Sequence, residues 1–416
     1  MAKRWNRIET WLALLVVGAG LLLAALGGLH VYVTATATRL HPEPDRVPSA
    51  TQSAPLAPWT AAVDHGRRVM RAGISEQNLP GLSVAVGVGR DLVWAEGFGW
   101  ADLDDRVPVR PSTRFRIGTA SIAFTSAGAG LLLEEGRLEL DDEIQRYVPE
   151  FPTKPWPVTL RHLMGQVSGL RDDGGDEGAL FSERCDRPVE ALPHFAGGAL
   201  RFEPGTAYRH SGFGWILVSA AIEAAAGEPF LRFMRDRVFA PTGMEATRPD
   251  AGPERSGAGS ATPYFPRYSA DPRYGLHLMR PVDLSCYAGA SVFLSTPSDL
   301  VRFALALRNG ALLQPATVQL LQAEQRLSTG AGAGYGLGWS VKTATLDGED
   351  ARLVGHDGDA LGGQVASLLV WPERGLAVAV TSNISYADTA SLALQVADAF
   401  APHVRTLTTA RRSAPR

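Results

Sequence analysis

Two hydroxyl side chains, Thr119 and Ser121, come at the start of an apolar segment that should form a buried helix from Ser121 to Glu135. A hydroxyl becomes a nucleophile when a base removes its proton, and the positive end of a helix dipole favours the negative charge that develops. Imidazole titrates near neutral pH, so a histidine could supply the base. These residue types are compatible with the hydrolysis of esters, amides or peptides.

Metal binding and disulfide formation are the other chemistry that the side chains could support. Histidine and aspartate are zinc ligands, but the spacing of His210, His356 and the aspartates specifies no site. We therefore expect no metal and no other cofactor. The chain has two cysteines, Cys185 and Cys286, too few for a disulfide-dense scaffold or a Cys-rich zinc module. They either pair in an oxidising compartment or remain two separate buried thiols.

The composition narrows the class of protein. The chain has 416 residues, and 40 Lys+Arg against 43 Asp+Glu give a net charge of −3, which argues against a general nucleic-acid binder. Because 45% of the residues are hydrophobic and 20% are charged, bulk disorder and collagen-like repeats are excluded. The length suits two or three domains, or one large enzyme fold.

An apolar run near the N-terminus should cross a membrane. Residues 11–33 are long enough to span about 30 Å of hydrocarbon, and three basic residues lie in the preceding segment 1–10. The positive-inside rule places 1–10 in the cytoplasm and the rest of the chain in the periplasm or outside. We expect a single-pass signal anchor in the cell (inner) membrane. The alternative is a cleaved signal peptide, since Ala35-Thr36-Ala37 resembles a cleavage site.

Both flanks of the folded region have a different composition. Residues 34–58 contain five prolines among polar residues and should form an extended linker that packs poorly. Residues 401–416 are basic and lack an apolar period, which predicts a disordered tail. The folded domain should therefore cover about residues 59–400.

The periodicity of this domain changes from strands to helices and back. Strands are predicted over 82–88 and 92–97 near its beginning, and over 364–371 and 376–381 near its end. The predicted helices are 61–74, 121–135, 215–226, 299–307 and 387–400. This order predicts one sheet built from both termini. A mostly helical region, about 119–320, should be inserted between its halves and should contain a flexible glycine-rich loop at 251–260.

Several short motifs resemble, in the right order, those of the serine β-lactamase and penicillin-binding-protein-like hydrolases. They are Asn78-Leu79-Pro80-Gly81-Leu82, Phe115-Arg116-Ile117-Gly118, Glu135-Gly136-Arg137-Leu138, Ser168-Gly169-Leu170, Pro204-Gly205, Pro241-Thr242-Gly243-Met244, Leu294-Ser295-Thr296 and Gly355-His356-Asp357-Gly358. The resemblance is to the class C-like branch, which includes the mitochondrial serine β-lactamase-like protein. It implies an α/β, β-lactamase/transpeptidase-like fold, in which helices flank an antiparallel sheet.

The resemblance also implies a catalytic motif S-x-x-K, in which a lysine activates the serine three residues before it. Thr119 falls on the position of the nucleophile and Ile122 on the position of the lysine. Threonine retains a hydroxyl, but isoleucine accepts no proton and is expected in the helix core. The other lysines, Lys3, Lys154 and Lys342, lie far away in the sequence.

The second family motif, Tyr-x-Asn, follows a Pro-Gly pair. Here His210 falls on the tyrosine position and Gly212 on the asparagine position, so the proton relay and the amide that holds a substrate carbonyl are both missing. A shift of register that makes Tyr208 the catalytic tyrosine would break the alignment with the following Gly214. His210 either acts as a base or lines a polar pocket wall.

The third motif survives in outline as His356-Asp357-Gly358, which we expect to precede a strand. The resemblance implies that an edge strand lines the pocket here and that the backbone N–H of Asp359 completes an oxyanion hole. Asp357 stands where a hydroxyl side chain would meet a substrate carboxylate. Its charge would repel β-lactams and D-alanyl peptides. His356 is either a turn residue without a chemical role or part of the site.

Two functions follow as expectations. The chain is either a membrane-anchored, outward-facing relative of the serine hydrolases with an impaired site that binds a small-molecule, peptide or protein ligand, or an active acyl hydrolase that uses Thr119 or Ser121 with a histidine base. Gly212, Asp357, Gly358 and Asp359 would contact the ligand.

Overall fold

In a computed structural model of the protein, the described residues are 2–171, 183–250, 259–360 and 362–413. The helices are α1 Ala2–Ala35, α2 Thr60–Glu76, α3 Ser121–Glu134, α4 Leu160–Met164, α5 Gly212–Ala226, α6 Phe230–Phe233, α7 Pro297–Arg308, α8 Pro315–Gln322 and α9 Thr389–Ser413. The strands are β1 Ser49–Thr51, β2 Gly81–Val88, β3 Asp91–Asp102, β4 Val107–Pro108, β5 Phe115–Arg116, β6 Arg248–Pro249, β7 Tyr264–Pro266, β8 Leu276–Leu278, β9 Phe293–Ser295, β10 Ser340–Leu346, β11 Glu349–Ala360, β12 Gln364–Trp371 and β13 Leu376–Ser382.

The main sheet joins the two ends of the domain, as the sequence predicted. Its strand order is β1-β3-β2-β13-β12-β11-β10, with β4 paired to β3, and neighbouring strands run antiparallel. The central pair brings Val84 of β2 opposite Val380 of β13. Residues almost three hundred positions apart therefore meet in the middle of the sheet, with the helical insertion between them in the sequence.

Alternation along the central strands gives each face of the sheet its own helix layer. Larger side chains such as Val84 and Val380 belong to the core shared with α2 and α9, whereas Ala85 and Ala379 belong to the core shared with α7. Small residues let α7 approach closely: a Cβ at Gly87 would lie 2.5 Å from Val301 of α7.

The insertion is mostly helical, and α3 is its central element. This helix is buried nearly all round, and its Phe124 ring contacts the rings of Phe239, Phe293 and Phe303. An all-apolar helix needs partners on every side; α5 and α8 supply some of them, and α7 adds Phe303. Residues 251–258, most of the loop predicted as flexible, lie outside the described residues.

The proline-rich segment is partly docked, in contrast to the predicted extended linker. The side chain of Asn78 accepts a hydrogen bond from the Leu40 N–H at 2.8 Å and donates to the Thr38 carbonyl at 3.0 Å. Further along, β1 pairs with the edge of β3. The prolines here are compatible with two short 3-10 turns, Pro44–Arg46 and Ala57–Trp59, and with an extended segment that adds to a sheet edge.

Two further expectations differ from the structure. The tail predicted as disordered instead continues α9 as far as Ser413; residues 403–413 contain neither glycine nor proline to end the helix. His356-Asp357-Gly358 lies inside β11 rather than before a strand. We missed the β10–β11 hairpin although Asp347-Gly348, a favoured hairpin turn, connects its strands.

A disulfide connects Cys185 and Cys286, whose Cα atoms are 4.8 Å apart. The bridge ties two segments of the insertion, and the Cys185 N–H also donates to Ser285 Oγ at 2.9 Å.

We predict that reduction of this disulfide destabilises the domain. The bridge spans a sequence separation of 101 residues, and chain entropy gives at most about 4.7 kcal/mol for a loop of that size. Dithiothreitol should therefore lower the melting temperature by several degrees. A double variant, Cys185→Ser with Cys286→Ser, should melt at the lower temperature with or without reductant. A melting temperature of the unmodified protein that does not respond to reductant would contradict the prediction.

Candidate active site

The two candidate hydroxyl groups have different environments. A 3-10 turn, Gly118–Ala120, leads into α3 and leaves Thr119 half-buried, with its Oγ1 donating to the backbone carbonyl of Asp357 at 3.0 Å. Ser121 is fully buried and, among the described residues, its hydroxyl has no hydrogen-bond partner. Thr119 is thus the hydroxyl that faces strand β11, while Ser121 is enclosed in the protein.

Gly358 allows β11 to lie against the start of α3. A Cβ at this position would come 2.0 Å from the Ile117 carbonyl oxygen and 2.8 Å from the Ala120 nitrogen. Any larger residue would push the strand and the 3-10 turn apart. Glycine is needed here because of close backbone approach, and this approach brings Thr119 to the strand.

The last residues of β11 have one unpaired edge. Pairing with β10 ends at Gly355, while β12 pairs with the other edge of β11 as far as Ala360. The N–H and C=O of a strand residue point to the same edge, and residues two apart share that edge. Because the Asp357 carbonyl faces Thr119, the Asp359 N–H also points to the Thr119 side. This is the position in which a backbone donor could hold an oxyanion.

The position of the missing lysine is filled by hydrocarbon. Ile122 is fully buried in the cluster that contains α3. Lys154 donates to the carbonyls of Ala196 and Gly198, and Lys342 is an exposed residue of β10. The charge of Lys342 also contributes to lowering the pKa of His356.

His356 is buried, and both of its ring nitrogens have partners. Nε2 lies 3.0 Å from the Tyr335 hydroxyl, and Nδ1 lies 3.0 Å from the Asp357 carbonyl. A carbonyl only accepts, so Nδ1 carries the proton and Nε2 accepts from Tyr335. Burial, and then the charge of His210, lower the pKa of His356 from 6.5 to about 3. A base with so low a pKa is poorly matched to neutral pH.

His210 is oriented by Gln166. The Gln166 side chain accepts from the Ser211 N–H through Oε1 at 2.8 Å, so its Nε2 amide faces His210 Nδ1 at 3.3 Å. Nδ1 therefore acts as acceptor, and Nε2 carries the proton of the neutral ring. In this tautomer His210 presents a donor rather than a basic nitrogen.

Gln166 and Tyr335 are site residues that our sequence analysis missed. Gln166 precedes Ser168-Gly169-Leu170 by two residues, and Tyr335 lies in the glycine-rich segment 334–338. Burial raises the pKa of Tyr335 well above 10, so the phenol stays protonated. Its ring also lies 5.6 Å from that of Tyr208, which places Tyr208 at the same wall of the pocket.

The remaining candidates, Gly212 and Asp357, differ in exposure. Gly212 begins α5 and is buried, with no side chain to replace the family amide, while the Asp357 side chain is exposed. The structure therefore brings Thr119, His356, Asp357 and Gly358 together. Among the described residues, no group of three or more His, Cys, Asp or Glu side chains could hold a metal ion.

Comparison with known proteins identifies the same architecture. A family model described as Beta-lactamase matches residues 16–401. The human mitochondrial serine beta-lactamase-like protein LACTB is 26% identical, over 83% of either chain. A penicillin-binding protein of Bacillus subtilis is 28% identical over 66% of this chain, and the match spans 62% of that relative's length.

Two solved structures share the fold. One is an octameric penicillin-binding protein homologue from Pyrococcus abyssi, with a TM-score of 0.67 and 22% identity over 80% of this chain and 76% of the other. The other is a D-stereospecific amidohydrolase from Streptomyces sp., with a TM-score of 0.66 and 22% identity over 80% of this chain and 98% of the other.

We predict that His356 makes the domain sensitive to mild acid. The unfolded chain binds a proton at this histidine near pH 6.5, whereas the folded protein binds it only near pH 3. Between these values the unfolded state holds more protons, so stability falls as the pH falls. One pKa unit corresponds to about 1.4 kcal/mol, and the loss by pH 4 should be on the order of a few kcal/mol.

The test is urea unfolding between pH 7 and pH 4 for His356→Gln and for His65→Gln, an exposed histidine of α2. The free energy of unfolding of the His356→Gln protein should depend less on pH than that of the His65→Gln protein. If the free energy of unfolding falls with pH equally in both variants and in the unmodified protein, the lowered pKa of His356 is contradicted.

Proposed function

Because the chain belongs to the beta-lactamase family, we propose that it is a membrane-anchored, outward-facing member whose acyl-transfer machinery is impaired and whose pocket binds a ligand. The chain retains the fold and the backbone of the family site. What it lacks is the set of side chains that move protons.

Ile122 is the observation that carries this proposal. A lysine three residues after the nucleophile removes its proton in the family motif, and here that position is fully buried isoleucine. Loss of a general base commonly lowers the rate by about 10²–10⁴-fold. Since Thr119 already hydrogen-bonds to the Asp357 carbonyl, no described contact of its hydroxyl activates it for attack.

The two histidines support the same proposal. His356 has a pKa lowered to about 3 and both nitrogens in hydrogen bonds. His210 uses Nδ1 to accept from Gln166. His356 is therefore a poor base at neutral pH, and Nδ1 of His210 is already engaged by Gln166.

The polar groups that the pocket keeps are suited to binding a ligand. The Asp359 N–H and the Thr119 hydroxyl are polar groups at the junction of β11 and α3, and the Asp357 carboxylate is exposed beside them. A carboxylate at the rim attracts cationic groups and repels anionic ones. We infer a ligand, whether small molecule, peptide or protein, that presents a carbonyl and a positive or neutral group to this rim.

Acyl hydrolysis by Thr119 is the second candidate function. It is favoured by the half-buried position of the Thr119 hydroxyl beside a potential oxyanion donor. The structural similarity to an amidohydrolase concerns the fold, and the reaction of that protein is not transferred to this chain.

The membrane anchor is proposed from α1. Thr10–Ala35 has 26 residues with a mean hydropathy of 2.5 and is the helix of the described chain that is long and apolar enough to cross a bilayer. We predict that the full-length protein stays in the membrane pellet after alkaline carbonate extraction and that added protease reaches the domain in spheroplasts. Recovery of a soluble chain that starts near Thr38 would instead support a cleaved signal peptide.

We predict that activity-based probes leave the purified protein unlabelled. A fluorophosphonate and a fluorescent penicillin should both fail to label Thr119, because no base activates it, and nitrocefin should be turned over no faster than by buffer. Labelling that Thr119→Ala abolishes would establish the acyl hydrolase instead.

A matched pair of variants tests the role of Ile122. Ile122→Lys places an ammonium group in a buried apolar cluster and should lower the melting temperature without creating activity. Ile122→Met keeps a similar volume and should cost less than about 1.5 kcal/mol. A stable Ile122→Lys protein that hydrolyses esters would mean that the pocket is still tuned for acyl transfer.

A further inference from the structure

The C-terminal end of α1, near Ala35, is bound to the domain. The Arg267 guanidinium donates to the Val33 carbonyl at 3.1 Å and to Thr36 Oγ1 at 2.7 Å. Near the same end, the ring of His30 meets the ring of Tyr274 edge-on, with centroids 5.9 Å apart. Both domain residues belong to the segment Arg267–Gly275, which connects β7 to β8 and which we call the hairpin tip.

The chain that follows α1 is also attached. Asn78 binds the backbone of Thr38 and Leu40, and the buried ring of His41 lies 3.2 Å from the Pro80 carbonyl. Only a few residues therefore separate the helix from its first fixed contacts with the domain. A domain held in this way stays at one height above a membrane that α1 crosses.

The length of α1 sets that height. At about 1.5 Å per residue, the 26 residues of Thr10–Ala35 extend roughly 39 Å, about 9 Å more than the hydrocarbon core. His30 lies five residues before Ala35, hence about 7.5 Å below the end of the helix. With Thr10 at the inner edge of the hydrocarbon, this excess lies on the outer side, and His30 and its contact Tyr274 come to the level of the lipid headgroups.

The side chains of the hairpin tip are of types that are found among lipid headgroups. Tyr274 contacts Tyr268, with ring centroids 6.0 Å apart, and tyrosine is enriched at both interfaces of a bilayer. Arg267 is exposed, and a cation near an anionic surface is attracted to it. Arg273 pairs with Asp271 at 2.6 Å, so these two charges offset each other and the tip keeps one net positive charge.

Aromatic residues continue from the tip along the hairpin. Phe265 of β7 packs edge-on against Tyr386, with centroids 5.6 Å apart, and against His277. Tyr386 is 40% exposed, so part of its ring lies on the surface beside the hairpin. The aromatic surface is thus continuous with the part of the domain that contacts α1.

We propose that the hairpin tip, Arg267–Gly275, is a second membrane contact that inserts its tyrosines among the lipid headgroups on the outer side of the bilayer. This inference rests on the proposed anchor. Burial of aromatic rings about 5–10 Å into the headgroup region is the depth at which interfacial segments lie. Together with α1, the tip would prevent the domain from tilting and would fix the distance between its pocket and the lipid.

The test uses the full-length chain in vesicles of phosphatidylethanolamine and phosphatidylglycerol. Ser269, an exposed residue of the tip, is changed to Cys and labelled with a nitroxide. Ser328→Cys, an exposed serine in the loop after α8, is the matched control. Because the two native cysteines form a disulfide, each variant carries one reactive thiol. Collision with oxygen, which partitions into lipid, is compared with collision with a water-soluble nickel chelate.

We expect the Ser269→Cys label to favour oxygen over nickel several-fold more than the Ser328→Cys label does. If the protein sediments with the vesicles but the two labels have the same ratio, the tip is in water and the inference fails while the anchor stands. Shielding of the Ser269→Cys label from both reagents would mean that another protein copy covers the tip, which also overturns the inference. If the chain does not remain with the vesicles after carbonate washing, the anchor and the tip contact both fail.

Discussion

The Arg116 side chain joins three parts of the chain, and the pocket depends on it. Its Nε donates to Asp250 at 2.6 Å, and its Nη1 donates to the Gly362 carbonyl at 3.0 Å. Its backbone N–H donates to the Gln364 side chain, which in turn donates to the Ala261 carbonyl. Both charged side chains are almost fully buried, and loss of one partner of such a pair costs about 3–5 kcal/mol because the other charge is left unpaired. Arg116 therefore fixes the end of β11 and the start of β12 against the segment that leads into α3.

This arrangement explains how the backbone of the site forms without the side chains of the family motifs. Thr119 and the Asp359 N–H are brought together by backbone contacts, above all the close approach at Gly358, and by the buried pair of Arg116. None of these contacts involves the lysine, tyrosine or asparagine of the family motifs. Replacement of those residues by Ile122, His210 and Gly212 is compatible with the same backbone, because Ile122 adds to the core and His210 finds a partner in Gln166.

The sequence predicted the parts of the fold that follow from periodicity. The apolar runs that became β2, β13 and α3 were clear, and the ordered motifs indicated how the two ends of the chain combine. Prediction from the sequence failed where tertiary contacts decide which structure a segment adopts. Nothing in the prolines of residues 34–58 indicates that Asn78 would bind their backbone, and the exposed strand β10 carries too few apolar residues for a clear pattern. In the site, the degenerate motif positions could be identified from the sequence, whereas the partners of His356 could not. Tyr335 is 21 residues away from it in sequence, and only the fold brings them together.

The attachment of the domain to α1 has a consequence for the kind of ligand that the pocket can meet. An enzyme on a long flexible linker can search a wide layer of solvent, since the reach of such a linker grows with its length. Here Val33 near the end of α1 and Leu40 just after it are both hydrogen-bonded to the domain, so the reach is short. Tethering raises the local concentration of anything else confined to the same membrane surface, and a binding site gains from this even when it performs no reaction. With the proposed anchor and the proposed impaired site, the pocket would be held at a fixed height above a bilayer, which suits the capture of a ligand at the membrane surface better than the turnover of a freely diffusing one.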